Sequence, residues 1–154
     1  MIHRQLDNLE MPFRLLARDF IDALNNEMQL PKNVFAENGV KGFIILETLR
    51  ELPVQMAYYT RGRMPIADVQ KYFVKAGLWR LSSLEAMAVS TWTLDSKHID
   101  GLAIDIAPSS SEIAPWWAAP ESVWDRMAEI AEACGLVAGR RWKDNKDSPH
   151  FQSA

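Results

Sequence analysis

Apolar residues recur at three- and four-residue spacing after Pro12, at Phe13, Leu16, Phe20, Ile21 and Leu24, which predicts an amphipathic core helix ending before Pro31. The loop "PKNVFAENG" follows, and then "GFIILETL" at 42–49 is short, apolar and rich enough in β-branched residues to be a buried strand. "ELPVQMAYYTRGR" resumes helical spacing, with Pro53 tolerated in the first turn and Gly62 after the last. Residues 65–88 read as two short helices around a break at "AGLW", residues 76–79. "STWTL" at 90–94 and "GLAIDIA" at 101–107 read as strands, and "PSSSEIAPWWAAP" is a loop dense in turn formers. "PESVWDRMAEIAEACG" is a helix with Trp124, Met127, Ala131 and Cys134 on one side and Gly135 as its stop, and the tail carries one last short strand. The elements alternate irregularly, without repeated strand-glycine-helix units, so the fold class is α+β.

Size and charge narrow the function. At 154 residues and 48% hydrophobic, the chain supports one core, hence a single domain over 1–154. Seventeen basic against 20 acidic residues, with no block of like charge, argue against a nucleic-acid binder. Cys134 is the single cysteine, so neither a disulfide within the chain nor a cysteine-based zinc cluster is available, and it reads as a structural thiol. The N-terminal stretch has charges throughout, and no segment approaches the apolar length of a membrane span. The expectation is a chain made in the cytoplasm without a signal peptide, inserting in no membrane and acting as a monomer.

The chemistry concentrates in "DSKHIDGLAIDI", residues 95–106. In an extended chain Leu102, Ile104 and Ile106 share one face, while Ala103, Asp105 and Ala107 share the other. Large side chains fill the core, and the acid lies on a face cleared by alanines. His98 sits just upstream of Gly101, which can bend the segment back toward Asp105. Two readings stay open for this pair alone: convergence on one point, or a turn-capping histidine and an aspartate paired with an arginine. "KDSPHFQ" at 146–152 adds His150 three residues after Asp147, presented from a turn because Pro149 disfavours helix for Ser148. His98, Asp105 and His150 form a ligand set suited to Zn²⁺ with a fourth position open, and Asp147 is placed as a general base. His3 lies in an N-terminus expected to fray and receives no role.

These stretches resemble a known family. "SKHIDGLAID" matches the Ser-x-His-x-x-Gly-x-Ala-x-Asp motif, and "DSPHF" the Asp-x-x-His-Phe motif, of VanY-like zinc peptidases, which include D-alanyl-D-alanine carboxypeptidases and the L-alanyl-D-glutamate endopeptidases of phage endolysins. "ETLRELPVQMAYYTRGR" resembles the family's Glu-x-x-Arg stretch, followed by Gln and a Tyr-x-x-Gly-Arg ending. The likeness covers about residues 40–152 and leaves the first helix as a family-like lid. It implies a Hedgehog/DD-peptidase-like domain, an antiparallel sheet with flanking helices and one zinc per chain in a cleft on the sheet. It further implies ligands His98, Asp105 and His150, an acid/base at Asp147, an active-site arginine at Arg50 that stabilises the oxyanion or clamps a substrate carboxylate, and a substrate contact at Ser96.

The chain also departs from the family pattern. Residues 64–89 form an insertion, and Arg140 and Arg141 stand where many relatives are glycine-rich, while Trp142 fits the aromatic usually found there. Trp116 and Trp117 either wall the cleft or pack on the core. No residues remain for a separate wall-binding domain. The resemblance implies a zinc-dependent peptidoglycan endopeptidase of the phage endolysin kind, cutting L-alanyl-D-glutamate in the stem peptide and reaching the wall after holin-type release. A D-Ala-D-Ala carboxypeptidase is the nearest alternative, and a catalytically silent zinc protein that binds cell-wall peptide is the alternative from another class.

Overall fold

Four short strands carry the framework. In the computed structural model, which describes residues 1–154, β1 (Gly42–Glu47), β2 (Ala103–Ser109), β3 (Leu136–Ala138) and β4 (His150–Ser153) form one sheet in the order β1-β2-β4-β3, with every neighbouring pair antiparallel. The helices are α1 (Phe13–Met28), α2 (Val34–Glu37), α3 (Leu52–Thr60), α4 (Ile66–Lys75), α5 (Ser83–Met87) and α6 (Glu121–Ala133). The expected α+β architecture is therefore present. No helix is long and apolar enough to cross a membrane.

The alternation along β2 works as expected on one face only. Ile104 and Ile106 are fully buried in the main core with Phe13, Phe20, Leu24 and Met127 from α1 and α6. On the other face Ala103 and Ala107 are buried too, so that face is open only around Asp105, whose side chain is 16% exposed. Phe151 is fully buried against Phe20, ring centroids 4.6 Å apart, and its neighbour His150 points the other way. A one-residue slip of β4 would put the imidazole in the core and the phenyl ring in the cleft, so burial of Phe151 sets the register that the site needs.

Several expectations are corrected. Residues 90–94 form no strand, because Gln55 donates to the Thr93 carbonyl (2.6 Å) and Arg63 to that of Thr91 (3.0 Å); side chains of the α3 region satisfy this backbone in place of a ladder. β3, too short for a periodic signal, was not expected, nor was the single turn α2, capped by the Asn33 side chain accepting from Ala36 N–H at 2.8 Å. The first helix is no lid, since it packs its buried face on the core and lines no part of the cleft. Nor is the N-terminus frayed: Thr48 N–H donates to the His3 carbonyl at 2.8 Å, Arg4 Nε to that of Leu46 at 3.0 Å, and Glu10 N–H to that of Gly101 at 3.0 Å. The 64–89 insertion folds as a lobe against α3, around a small core of Ala57 from α3 with Val69, Phe73, Leu81 and Ala86. Gly62 lets it close, for a side chain there would lie 2.7 Å from Val89 and 3.0 Å from the Met87 carbonyl.

Candidate metal centre and active-site cleft

Register builds the site. Across the sheet Glu47 of β1 pairs with Asp105 of β2, and Asp105 with His150 of β4, so these three side chains form one row on one face. A β1 irregularity between Ile45 and Glu47 brings Glu47 into this row. His98 arrives from outside the sheet, on the turn before Gly101, which adopts φ +66°. Arg50 N–H donates to the His98 carbonyl at 2.9 Å and pins that turn to the end of β1.

Three donor atoms meet at this row. His98 Nε2 lies 3.1 Å from Asp105 Oδ1 and 3.2 Å from His150 Nδ1, which in turn lies 3.1 Å from Asp105 Oδ1. The far nitrogens of both rings fix what these atoms carry. His98 Nδ1 donates to the Thr48 carbonyl at 2.7 Å, a group that can only accept, so in the neutral ring Nε2 is bare. His150 Nε2 lies 3.0 Å from Gln152 Oε1, and in the tautomer that donates to this oxygen Nδ1 is bare. Two lone pairs and a carboxylate oxygen facing one another repel unless a cation lies between them. Tetrahedral zinc with bonds near 2.0–2.1 Å needs ligand atoms about 3.3 Å apart, close to the triangle observed, so the donor set fits the ion. Thr48 and Gln152 orient the two rings as outer partners of metal ligands do.

Electrostatics agree. Burial alone would raise the Asp105 carboxyl pKa, but the two imidazoles outweigh it and hold it well below the usual carboxylate range. Burial alone would lower the His150 pKa, yet the hydrogen bond and charge of Asp105 raise it above its ordinary value. Asp147 lines the same cleft, retains contact with solvent, and its carboxylate makes no hydrogen bond or ion pair within the protein. Desolvation, helped by the Asp105 charge, raises its pKa. Arg50 is buried at the cleft wall, bonded through Nη2 to Glu47 and through Nη1 to Gln55 Oε1 at 2.7 Å, with Asp105 Oδ2 3.8 Å away. Ser96 is buried, its Oγ accepting from His98 N–H at 3.4 Å.

Residues 90–153, the span holding every candidate ligand and Asp147, match the family model described as D-alanyl-D-alanine carboxypeptidase. The segment that carries the site is thus similar to VanY-like zinc peptidases. Solved structures share its fold. The Serratia marcescens L-Ala D-Glu endopeptidase ChiX is 21% identical, with a TM-score of 0.54 over 100% of this chain and 89% of that one. The vancomycin resistance D,D-pentapeptidase VanY of a VanB-type cassette, a mutant in complex with Zn(II), is 19% identical with a TM-score of 0.51, over 94% of this chain and 72% of that one. VanYB in complex with D-alanine-D-alanine is 18% identical with a TM-score of 0.52, over 99% and 76%. No curated protein sequence matches the chain.

The cleft above the row encloses about 800 Å³ and runs between the sheet and the inserted lobe. The two tryptophans of the 108–120 loop divide: Trp116 packs against the core, while Trp117, 60% exposed, lines the cleft with Trp79 and Trp92. Trp142 lies against His150, ring centroids 5.1 Å apart. Arg140 ties its loop to α6 through Glu121 and Asp125 and reaches Ser148 Oγ at 3.3 Å, beside Asp147.

An ion pair with Glu47 or Glu51 is the alternative reading of Arg50 from the sequence, and the pair with Glu47 is present, buried rather than on the surface. Sequence reasoning missed Gln152 and the Thr48 carbonyl as supports, and above all Gly139. A Cβ at Gly139 would lie 2.6 Å from the Asp147 carbonyl, 3.2 Å from His150 Cβ and 3.3 Å from Asp147 Cβ. The absence of a side chain there is what lets the Asp147–His150 turn sit close. A glycine just after an apolar run was the only available signal, and it reads equally as a turn former. Gly139→Ala is expected to lower the melting temperature by about 3–10 °C, as overpacking of about 1–3 kcal/mol implies for a chain of this size, and to weaken zinc retention. A thermal scan with elemental analysis checks both.

Proposed function

We propose that this zinc peptidase cuts the stem peptide of peptidoglycan at the L-alanyl-D-glutamate bond, with His98, Asp105 and His150 as zinc ligands. One observation carries the reading: three bare donor atoms 3.1–3.2 Å apart, with a further, unpaired carboxylate at Asp147 in the same cleft. When bound, zinc supplies a Lewis acid for the scissile carbonyl and lowers the pKa of a water to roughly 7. Asp147 takes the proton of the attacking water and delivers it to the leaving amine. Desolvation and the Asp105 charge raise its pKa above the ordinary carboxylate value, which makes it a stronger base than a free aspartate. Arg50, held by Glu47 and Gln55 beside Asp105, contributes fixed positive charge where the carbonyl oxygen turns negative. Ser96, whose oxygen accepts from His98 N–H, keeps a hydroxyl hydrogen for a substrate carbonyl.

The endopeptidase reading is supported by the fold shared with the L-Ala D-Glu endopeptidase ChiX. It is also supported by purpose, because cutting inside the stem opens a cross-linked wall and trimming a terminal D-alanine does not. A lytic role of the phage endolysin kind, after holin-type release, follows from that purpose. The family description D-alanyl-D-alanine carboxypeptidase favours a second reading, release of the terminal D-alanine. Digestion of purified sacculi separates them. New D-glutamate amino termini, with muramyl-L-alanine left on the glycan and no reaction in the presence of a chelator, are the expected products. Free D-alanine from otherwise intact stems would establish the carboxypeptidase instead.

A further inference from the structure

The substrate of the proposed reaction carries a free α-carboxylate on its γ-linked D-glutamate, next to the scissile amide. Arg50, the cleft arginine nearest the metal row, is poorly placed to receive it. Its two terminal nitrogens are occupied by Gln55 and Glu47, its Nε is buried without a partner, and its guanidinium stacks on the Tyr58 ring at 4.9 Å. An ion pair this enclosed is a fixed part of the wall.

A second arginine is differently placed. Arg61 follows the last turn of α3 and lines the same cleft. Its Nε donates to the Glu85 carbonyl of α5 at 2.8 Å, while neither terminal nitrogen makes a hydrogen bond or ion pair within the protein. The tether holds the stem and leaves the fork free, so less side-chain freedom is lost when a carboxylate binds. Three residues earlier on the same helix face, Tyr58 also lines the cleft, and its hydroxyl has no protein partner. Desolvation foremost, then the Glu47 charge, pushes that phenol up to about 12, so it remains a neutral donor. Arg4, Lys97 and Lys146 line the cleft as well, but all three are exposed: Arg4 shares the tether, through Nε to the Leu46 carbonyl, without the partial burial of Arg61, and the lysines are flexible point charges.

We infer that Arg61 and Tyr58 form the subsite for the substrate's α-carboxylate, with Arg61 as the residue that sets specificity for an acid over an amide at that position. The inserted lobe supplies the Glu85 carbonyl that orients Arg61, which gives the insertion a part in substrate choice. This inference rests on the stem-peptide reading, and its test reads binding, so that it stands apart from which bond is cut.

Calorimetry on the zinc-loaded protein would compare γ-D-glutamyl-L-lysine with its α-carboxamide. The wild type is expected to bind the acid roughly 10- to 100-fold more tightly, the range of a charge-assisted hydrogen-bonded contact. Arg61→Gln should bring that ratio near one with zinc content unchanged, whereas Lys97→Ala should weaken the acid only slightly. Tyr58→Phe removes one oxygen and should reduce the ratio about 3- to 10-fold, which keeps the test available if Arg61→Gln folds poorly. No acid preference in the wild type would overturn the inference, as would a preference that survives Arg61→Gln, which would put the carboxylate on the metal or on Arg50. Failure of the bond assignment appears separately, in the sacculus digest.

Discussion

Zinc and hydrolysis are expected to disappear together in His98→Ala. His98 contributes one of three bare donor atoms, and the other two, His150 Nδ1 and Asp105 Oδ1, are too few to hold the ion in a cleft open to water. Loss of an outer partner of a ligand typically costs 10- to 100-fold in affinity or activity, so loss of the ligand itself should cost more than about 100-fold in both. Because His98 is 1% exposed and its Nδ1 holds the Thr48 carbonyl, the variant also leaves a buried acceptor unpaired, which adds a structural cost of its own. His150→Ala supplies the independent case. Elemental analysis together with circular dichroism checks the result; a folded His98→Ala protein with full zinc would remove His98 from the ligand set.

The same site makes the metal sensitive to acid. Ligand imidazoles must be neutral, and His150 has a raised pKa in the metal-free protein, so protons begin to compete with zinc above pH 6.5, the ordinary value for the residue. Affinity should fall steadily as pH drops through that region. For the metal-free protein the sign is opposite. A histidine whose pKa is raised on folding contributes stability that is present below its unfolded value and is lost as pH rises through the folded one. Melting of the metal-free protein should therefore weaken with rising pH where melting of the zinc-loaded protein does not.

Asp147→Asn should keep its zinc and its melting temperature and lose about 10²- to 10⁴-fold in kcat, the usual contribution of a general acid/base. Asp147 stands outside the triangle of donor atoms, and its carboxylate supports no hydrogen bond or ion pair, so the substitution removes a proton acceptor and little else. The asparagine is nearly isosteric, which spares the close contact with Gly139. If zinc content falls in step with activity, Asp147 is a ligand and the proton must go elsewhere.

What the sequence alone determined is local. The alternation that turns Ile104 and Ile106 inward and Asp105 outward, the proline that keeps Asp147 and His150 off a helix, and the spacing of apolar residues in α1 and α6 each depend on neighbours a few positions away. Those rules sufficed for the fold class and, with the family resemblance, for singling out His98, Asp105 and His150 as a candidate ligand set. They failed at residues 90–94, where a strand-like composition is overruled by side chains of the α3 region that take up its backbone groups. They also failed for the first helix, whose placement against the core rather than over the cleft depends on where Phe20 meets Phe151.

Tertiary structure decided everything that depends on which distant groups meet. The row Glu47–Asp105–His150 exists because three strands pair in one register, and the bare state of two histidine nitrogens follows from a carbonyl on β1's far loop and an amide on β4. The division between Arg50, enclosed by Glu47 and Gln55, and Arg61, tethered with its fork free, is set by partners that no local pattern specifies. A side chain's chemistry is written in its own identity, but its partners are chosen by packing across the whole chain, where burial of apolar surface outweighs any local preference.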